Sequence, residues 1–135
     1  MFTADSILNI IESLPDHKMN PVDDNFTCIY NDFDGNRCIA GEVLFQLGLE
    51  LPKPGSPENG EDVAEMLRKM DNIYLFSAEA IDILCAAQFY ADKYTHDMQP
   101  SFSIFEETSE MGDSWPWELA KIEAVNRYNE IKESF

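Results

Sequence analysis

The sequence predicts a mainly α-helical protein of the α+β type, about five helices with one small β-hairpin over residues 26–39, and two observations carry that expectation. Apolar residues recur at three- and four-residue spacing in segments bounded by capping residues, prolines and glycines, which is the signature of amphipathic helices. Only around Asp34-Gly35 does an alternating apolar run with a two-residue turn signal appear. With 135 residues, 44% hydrophobic and 12% aromatic, the chain has material for one core, so residues 1–135 read as a single globular domain.

In chain order, Thr3 can cap a first helix in which Ile7, Ile10, Ile11 and Leu14 share a face, and Pro15 stops it. Residues 16–25 contain Pro21, Asp23 and Asp24 and read as a loop. A type I′ turn at Asp34-Gly35 pairs Phe33 with Asn36, Asp32 with Arg37 and Asn31 with Cys38, making Asp32–Arg37 a cross-strand ion pair. The same register sets Cys28 opposite Gly41, which disfavours a Cys28–Cys38 disulfide. From Ile39 the period becomes helical through Val43 and Leu47, and Gly48 suits the left-handed residue after a helix, with Leu49 placed for the accompanying apolar contact. Residues 51–60 hold three prolines and two glycines and read as a surface loop within the domain.

Asn59 or Gly60 then opens a helix with Val63, Met66, Leu67 and Met70 on one stripe, and Ile73–Phe76 is either a short strand or a buried connection. Ser77 caps the longest helix, running to about Tyr94. Its apolar positions cover more than one stripe, which makes it central, and Gln88 falls in line with Ile81, Leu84 and Cys85 and should be buried with its amide satisfied. Ser101–Phe105 is a candidate third strand. The last helix starts near Ser114, admits Pro116 in its first turn, and presents Leu119, Ile122, Val125, Tyr128 and Ile131 as its apolar side.

Motifs of catalysis are missing from this chain. Aligning Gly35 with the invariant glycine of an EF-hand loop puts Tyr30 and Gly41 where the calcium site needs Asp and Glu, so a hairpin turn is the better reading. Cys28, Cys38, Cys85, His17 and His96 lack the paired spacing of a zinc site. Eleven residues of straight helix hold Cys85 and His96 about 16 Å apart, too far for a thiolate pair. No Gly-rich phosphate loop, G-x-S-x-G or H-E-x-x-H occurs, so neither metal nor cofactor is expected and a binding protein is favoured over an enzyme.

Charge points the same way. Twenty-six acids against nine bases give a formal net charge of −17, spread along the chain: residues 1–50 carry 9 acids and 2 bases, residues 51–135 carry 17 and 7. Such a surface repels nucleic acid and anionic membranes and suits a basic protein partner. No basic leader and no stretch near the ~18 apolar residues of a membrane span appear, and an odd cysteine count fits a reducing compartment, so a cytoplasmic location is expected. Between Asp97 and Glu118 lies the longest acidic stretch without a base, and Trp115 and Trp117 flank Pro116 beside it. Aromatics beside carboxylates make a credible docking patch, so the candidate partner-binding residues are Asp97, Glu106, Glu107, Glu110, Asp113, Trp115, Trp117 and Glu118, with burial of one or both tryptophans at the helix entry as the competing role.

The leading functional expectation is a non-catalytic acidic inhibitor or nucleic-acid mimic acting on a basic nuclease or other nucleic-acid-binding factor. Its competitor is a small enzyme or accessory subunit with a carboxylate-lined pocket. Tyr30, Asp34-Gly35, Cys38-Ile39-Ala40-Gly41, Leu44 and Leu47-Gly48 form a pattern that resembles Y…DG…CIVG…L..LG in small uncharacterised proteins of actinobacteria and bacteriophages, with Ala87-Gln88 and Trp115–Leu119 comparable further on. The resemblance implies a compact, mostly helical domain and a microbial or phage setting, with a phage-encoded protein acting in the host cytoplasm. It transfers no site residue, and it includes neither the acidic bias nor the 51–60 loop.

Overall fold

A computed structural model of the chain describes residues 1–22, 29–97 and 114–133. Among them are five α-helices: α1 (Ala4–Ser13), α2 (Ile39–Gln46), α3 (Val63–Lys69), α4 (Ala78–Asp97) and α5 (Pro116–Glu133). Two 3₁₀ turns, Pro57–Gly60 and Ile73–Leu75, lie in the connections. The helix α4 is the axis of the arrangement: α5 packs along it most extensively, and α1, α2 and α3 each contact it. Its residues Ala80, Ile83, Leu84, Ala87 and Ala91 are buried between these neighbours.

The helix ends follow their local chemistry. Thr3 caps α1 through a reciprocal box with Ser6, its side chain accepting the Ser6 amide and its own amide donating to the Ser6 hydroxyl. At the end of α2, the amide of Leu49 donates to Leu44 and that of Gly48 to Phe45, a six-to-one and five-to-two closure, with Gly48 at φ +77° in the left-handed position expected from the sequence. An equivalent closure ends α3 through Asn72 to Leu67 and Asp71 to Arg68, but there Asp71 takes the left-handed position at φ 63°. Asp62 caps α3, three residues after Asn59 and two after Gly60, the openings the sequence suggested, because Pro57–Gly60 forms its own 3₁₀ turn first. Ser77 Oγ accepts the Ala80 amide at the start of α4, which continues to Asp97.

The small β-hairpin expected over 26–39 is not formed by the described part of that stretch, 29–39. Amides that a ladder in this register would use are taken elsewhere: Ile29 donates to Pro21, Asn31 to the Asn59 side chain and Ala40 to Gln88 Oε1. What remains is a turn closed on Asp32, whose Oδ1 accepts the amides of Asp34 and Asn36 and whose amide donates to Asn36. Among the described non-glycine residues only Asp71 has positive φ, so Asp34 is not in a type I′ turn. Arg37 pairs with Glu42 rather than Asp32. The Cys28 register and the candidate strand Ser101–Phe105 fall outside the described residues.

Instead of a hairpin, the motif Cys38–Gly41 builds a polar junction. Cys38 Sγ caps α2 by accepting the Gly41 amide at 3.3 Å, and Gly41 lets the Tyr30 carbonyl approach to 2.2 Å from where a β-carbon would stand. Gln88 is buried as its position demanded, its oxygen accepting the Ala40 amide and its nitrogen donating to Asp92. Ile73–Phe76 is mainly a 3₁₀ turn, and only Phe76 pairs, in a single parallel bridge with Phe2.

The apolar side of α5 follows the expected stripe in part, with Val125, Tyr128 and Ile131 half-buried against the core. Pro116, Trp117, Ala120 and Ala124 face the core, while Ile122 is 53% exposed. Two alanines at the contact allow α4 and α5 to approach closely, and burying the large Trp117 fixes the rotation of the helix about its axis.

Candidate interaction surface

The docking residues expected from the sequence divide into three groups. Glu106, Glu107, Glu110 and Asp113 lie outside the described residues. Trp117 is in the core at 1% exposure, its indole N–H donating to Asn20 Oδ1 at 2.9 Å and its amide donating to the Lys18 carbonyl. Asp97, Trp115 and Glu118 are at the surface or half-buried: Asp97 ends α4, Trp115 meets His17 edge-on at 6.1 Å, and Glu118 accepts the Trp115 amide at 3.4 Å.

Asn20, which sequence reasoning did not single out, organises this end of the molecule. It is 1% exposed; Oδ1 accepts from both Ile39 and Trp117, Nδ2 donates to Asp92 at 2.6 Å, and its amide donates to Thr95 Oγ1. One side chain thereby joins the loop after α1 to α2, α4 and α5. An asparagine between Met19 and Pro21 in a polar loop gives no sequence signal for such a role.

The charges sort unevenly. Arg37, Arg68, Lys69, Lys121 and Arg127 are each held by carboxylates of this chain. Lys18, Lys93 and Lys132 lie over the rings of Trp117, Tyr94 and Tyr128. By contrast, the exposed acids Glu12, Asp34, Glu50, Asp71, Asp97 and Glu133 enter no ion pair among the described residues. Helical phase sets Glu118, Ile122, Asn126, Asn129 and Glu133 on the outward side of α5, a face without a basic residue. The guanidinium of Arg127 holds the Asp82 carboxyl below its ordinary range, and Lys121 does the same for Asp16.

A shallow groove of about 410 Å³ opens where the start of α1, the start of α4 and the end of α5 converge. The bridge between Phe2 and Phe76 sets its geometry: Phe2 donates to the Leu75 carbonyl at 2.7 Å, Ser77 donates to Phe2 at 2.9 Å, and the two rings lie 5.2 Å apart. Asp5, Glu79, Tyr128, Ile131 and Lys132 line it. The Tyr128 hydroxyl donates to Asp5, and the Lys132 ammonium stands 5.0 Å from the Tyr128 ring centroid. The hydroxyl and carboxylate together push the Lys132 pKa up. Thr3 and Ser77, the hydroxyls at the rim, are occupied as helix caps.

Neither described thiol is placed for chemistry. Cys38 is fully buried and Cys85 half-buried; both are free, and burial pushes both thiols up, away from the reactive thiolate. Among the described residues no three His, Cys, Asp or Glu side chains converge as a metal site, and no helix is long and apolar enough to cross a membrane. Comparison with protein-family models, with curated proteins and with solved structures gives no match to the chain.

Proposed function

We propose that the protein acts without catalysis, as an acidic binding protein that inhibits or regulates a basic partner such as a nuclease or another nucleic-acid-binding protein. The observation that carries this reading is the asymmetry of its charges. Most cations are engaged by the protein's own carboxylates and aromatic rings, while exposed carboxylates are left to face solvent. A partner that reads phosphates presents the complementary cations, and the net charge of −17 accelerates encounter with it. The resemblance to actinobacterial and phage proteins adds a setting in which such an inhibitor is encoded by a phage and acts in the host cytoplasm.

The test is capture of bacterial host proteins on the immobilised protein at low ionic strength, followed by stepwise salt elution and competition with duplex DNA. A nucleic-acid-binding protein that elutes as salt rises and is displaced by DNA supports the reading. Recovery of no basic protein, or retention insensitive to salt, abolishes it.

A further inference from the structure

We propose that the groove at the meeting of α1, α4 and α5 seats a cationic side chain of the basic partner, an arginine or lysine whose stem lies along Ile131 and Tyr128 and whose charge meets Asp5 and Glu79. This rests on the acidic-binding reading and locates one contact on the surface. Three observations lead to it. The groove is concave, about 410 Å³, with an aromatic and aliphatic wall and carboxylates in its lining, which suits a side chain that is apolar along its stem and positive at its tip. The protein's own Lys132 already stands over the Tyr128 ring at 5.0 Å, with the Asp5 carboxylate held on the Tyr128 hydroxyl, so the slot carries an intramolecular cation. Lys132 is exposed and sits in the last turn of α5, with no carboxylate within ion-pair distance among the described residues, and an incoming guanidinium can displace it into solvent.

The start of two helices in the same groove raises the opposite assignment, an anion. That assignment is weaker on the local chemistry. Thr3 Oγ1 already accepts the Ser6 amide and Ser77 Oγ the Ala80 amide, and Asp5 and Glu79 place a full negative charge in each first turn, against the partial positive charge of a helix end. A phosphate entering there meets two carboxylates.

The experiment titrates the nitrogen-15-labelled protein with nona-arginine at low salt and compares Lys132→Ala with Lys53→Ala, each of which removes one positive charge from an exposed residue. General attraction tightens both variants alike. A groove from which the resident lysine has been removed tightens Lys132→Ala about three-fold more than Lys53→Ala, the size expected of an exposed cation–π contact. Tyr128→Leu, which keeps an apolar wall, loosens binding by a similar factor, and the largest amide shifts fall at residues 3–5, 77–79 and 128–132. If Tyr128→Leu fails to fold, the lysine pair alone decides. Equal tightening of the two lysine variants, or shifts centred elsewhere, overturns the groove and leaves the acidic-binding reading standing. Failure of every form to bind nona-arginine overturns both. Groove shifts produced by inorganic phosphate and not by nona-arginine overturn the cationic assignment.

Discussion

The carbonyl oxygen of Tyr30 lies 2.2 Å from the point a β-carbon on Gly41 would occupy. Backbone, not a flexible side chain, stands in the way, so Gly41→Ala must move either α2 or the Tyr30 strand of chain and disturb the buried Tyr30 ring with it. Gly41→Ala is expected to cost about 2 to 3 kcal/mol, as overpacking in a core does. Gly48→Ala, at φ +77° with open space around it, is expected to cost only about 1 kcal/mol, from the left-handed backbone alone. Urea unfolding of the two variants with unchanged slopes checks the order; equal midpoints contradict it.

Asn20→Ala removes the acceptor for two buried donors at once. Both the Trp117 indole N–H and the Ile39 amide are then left in the core without a partner. The expected loss is about 3 kcal/mol, at the upper end for a polar truncation because desolvated donors stay behind. The Trp117 fluorescence maximum should change as well, since its N–H loses its hydrogen bond. A loss below about 1 kcal/mol would show that water or a rearranged loop replaces Asn20.

Asp71 closes α3 in a conformation where glycine is at no disadvantage. Asp71→Gly is expected to raise stability by up to about 1 kcal/mol, the relief of left-handed strain being partly offset by the greater freedom of glycine in the unfolded chain. A lower melting temperature for the glycine variant would contradict the assignment of strain.

Cys38 should behave as a core atom and not as a reagent. In a Cys28→Ser, Cys85→Ser background, the native protein is expected to leave Cys38 unlabelled by a disulfide reagent near the ordinary thiol pKa of about 8.5, and to label it fully in urea. Rapid native labelling would mean that α2 opens locally.

The sequence made some of this legible and hid the rest for identifiable reasons. Capping is local chemistry, so Thr3, Ser77 and Gly48 announced α1, α4 and the end of α2, and the multi-striped Ala78–Tyr94 segment announced its central position and the burial of Gln88. The hairpin at 26–39 failed because distant side chains, Asn59 and Gln88, take amides of the ladder, and no local pattern records them. The stripe expected on α5 holds at Val125, Tyr128 and Ile131, but it missed Ala120 and Ala124, which carry little hydrophobicity yet are fully buried, and it included Ile122, which is left outside. Among the candidate docking residues, Trp117 takes the competing role of core plug through a hydrogen bond spanning 97 positions. The groove at Asp5, Glu79 and Lys132 could not be seen in the sequence at all, because it exists only once the Phe2–Phe76 bridge brings two helix starts together.

The junction at Asn20 also sets a time order. Its partners come from segments 19, 72 and 97 positions away, and the longest of these separations needs α5 seated on the rest of the fold. Closing so many loops at once belongs late in folding, after the local helices and the α4 contacts have formed. A contact made after the transition state governs escape from the native basin rather than entry into it. Asn20 is then expected to act as a latch: its removal should hasten unfolding and leave the folding rate nearly unchanged, as the two arms of a denaturant-dependence plot of the rates would show.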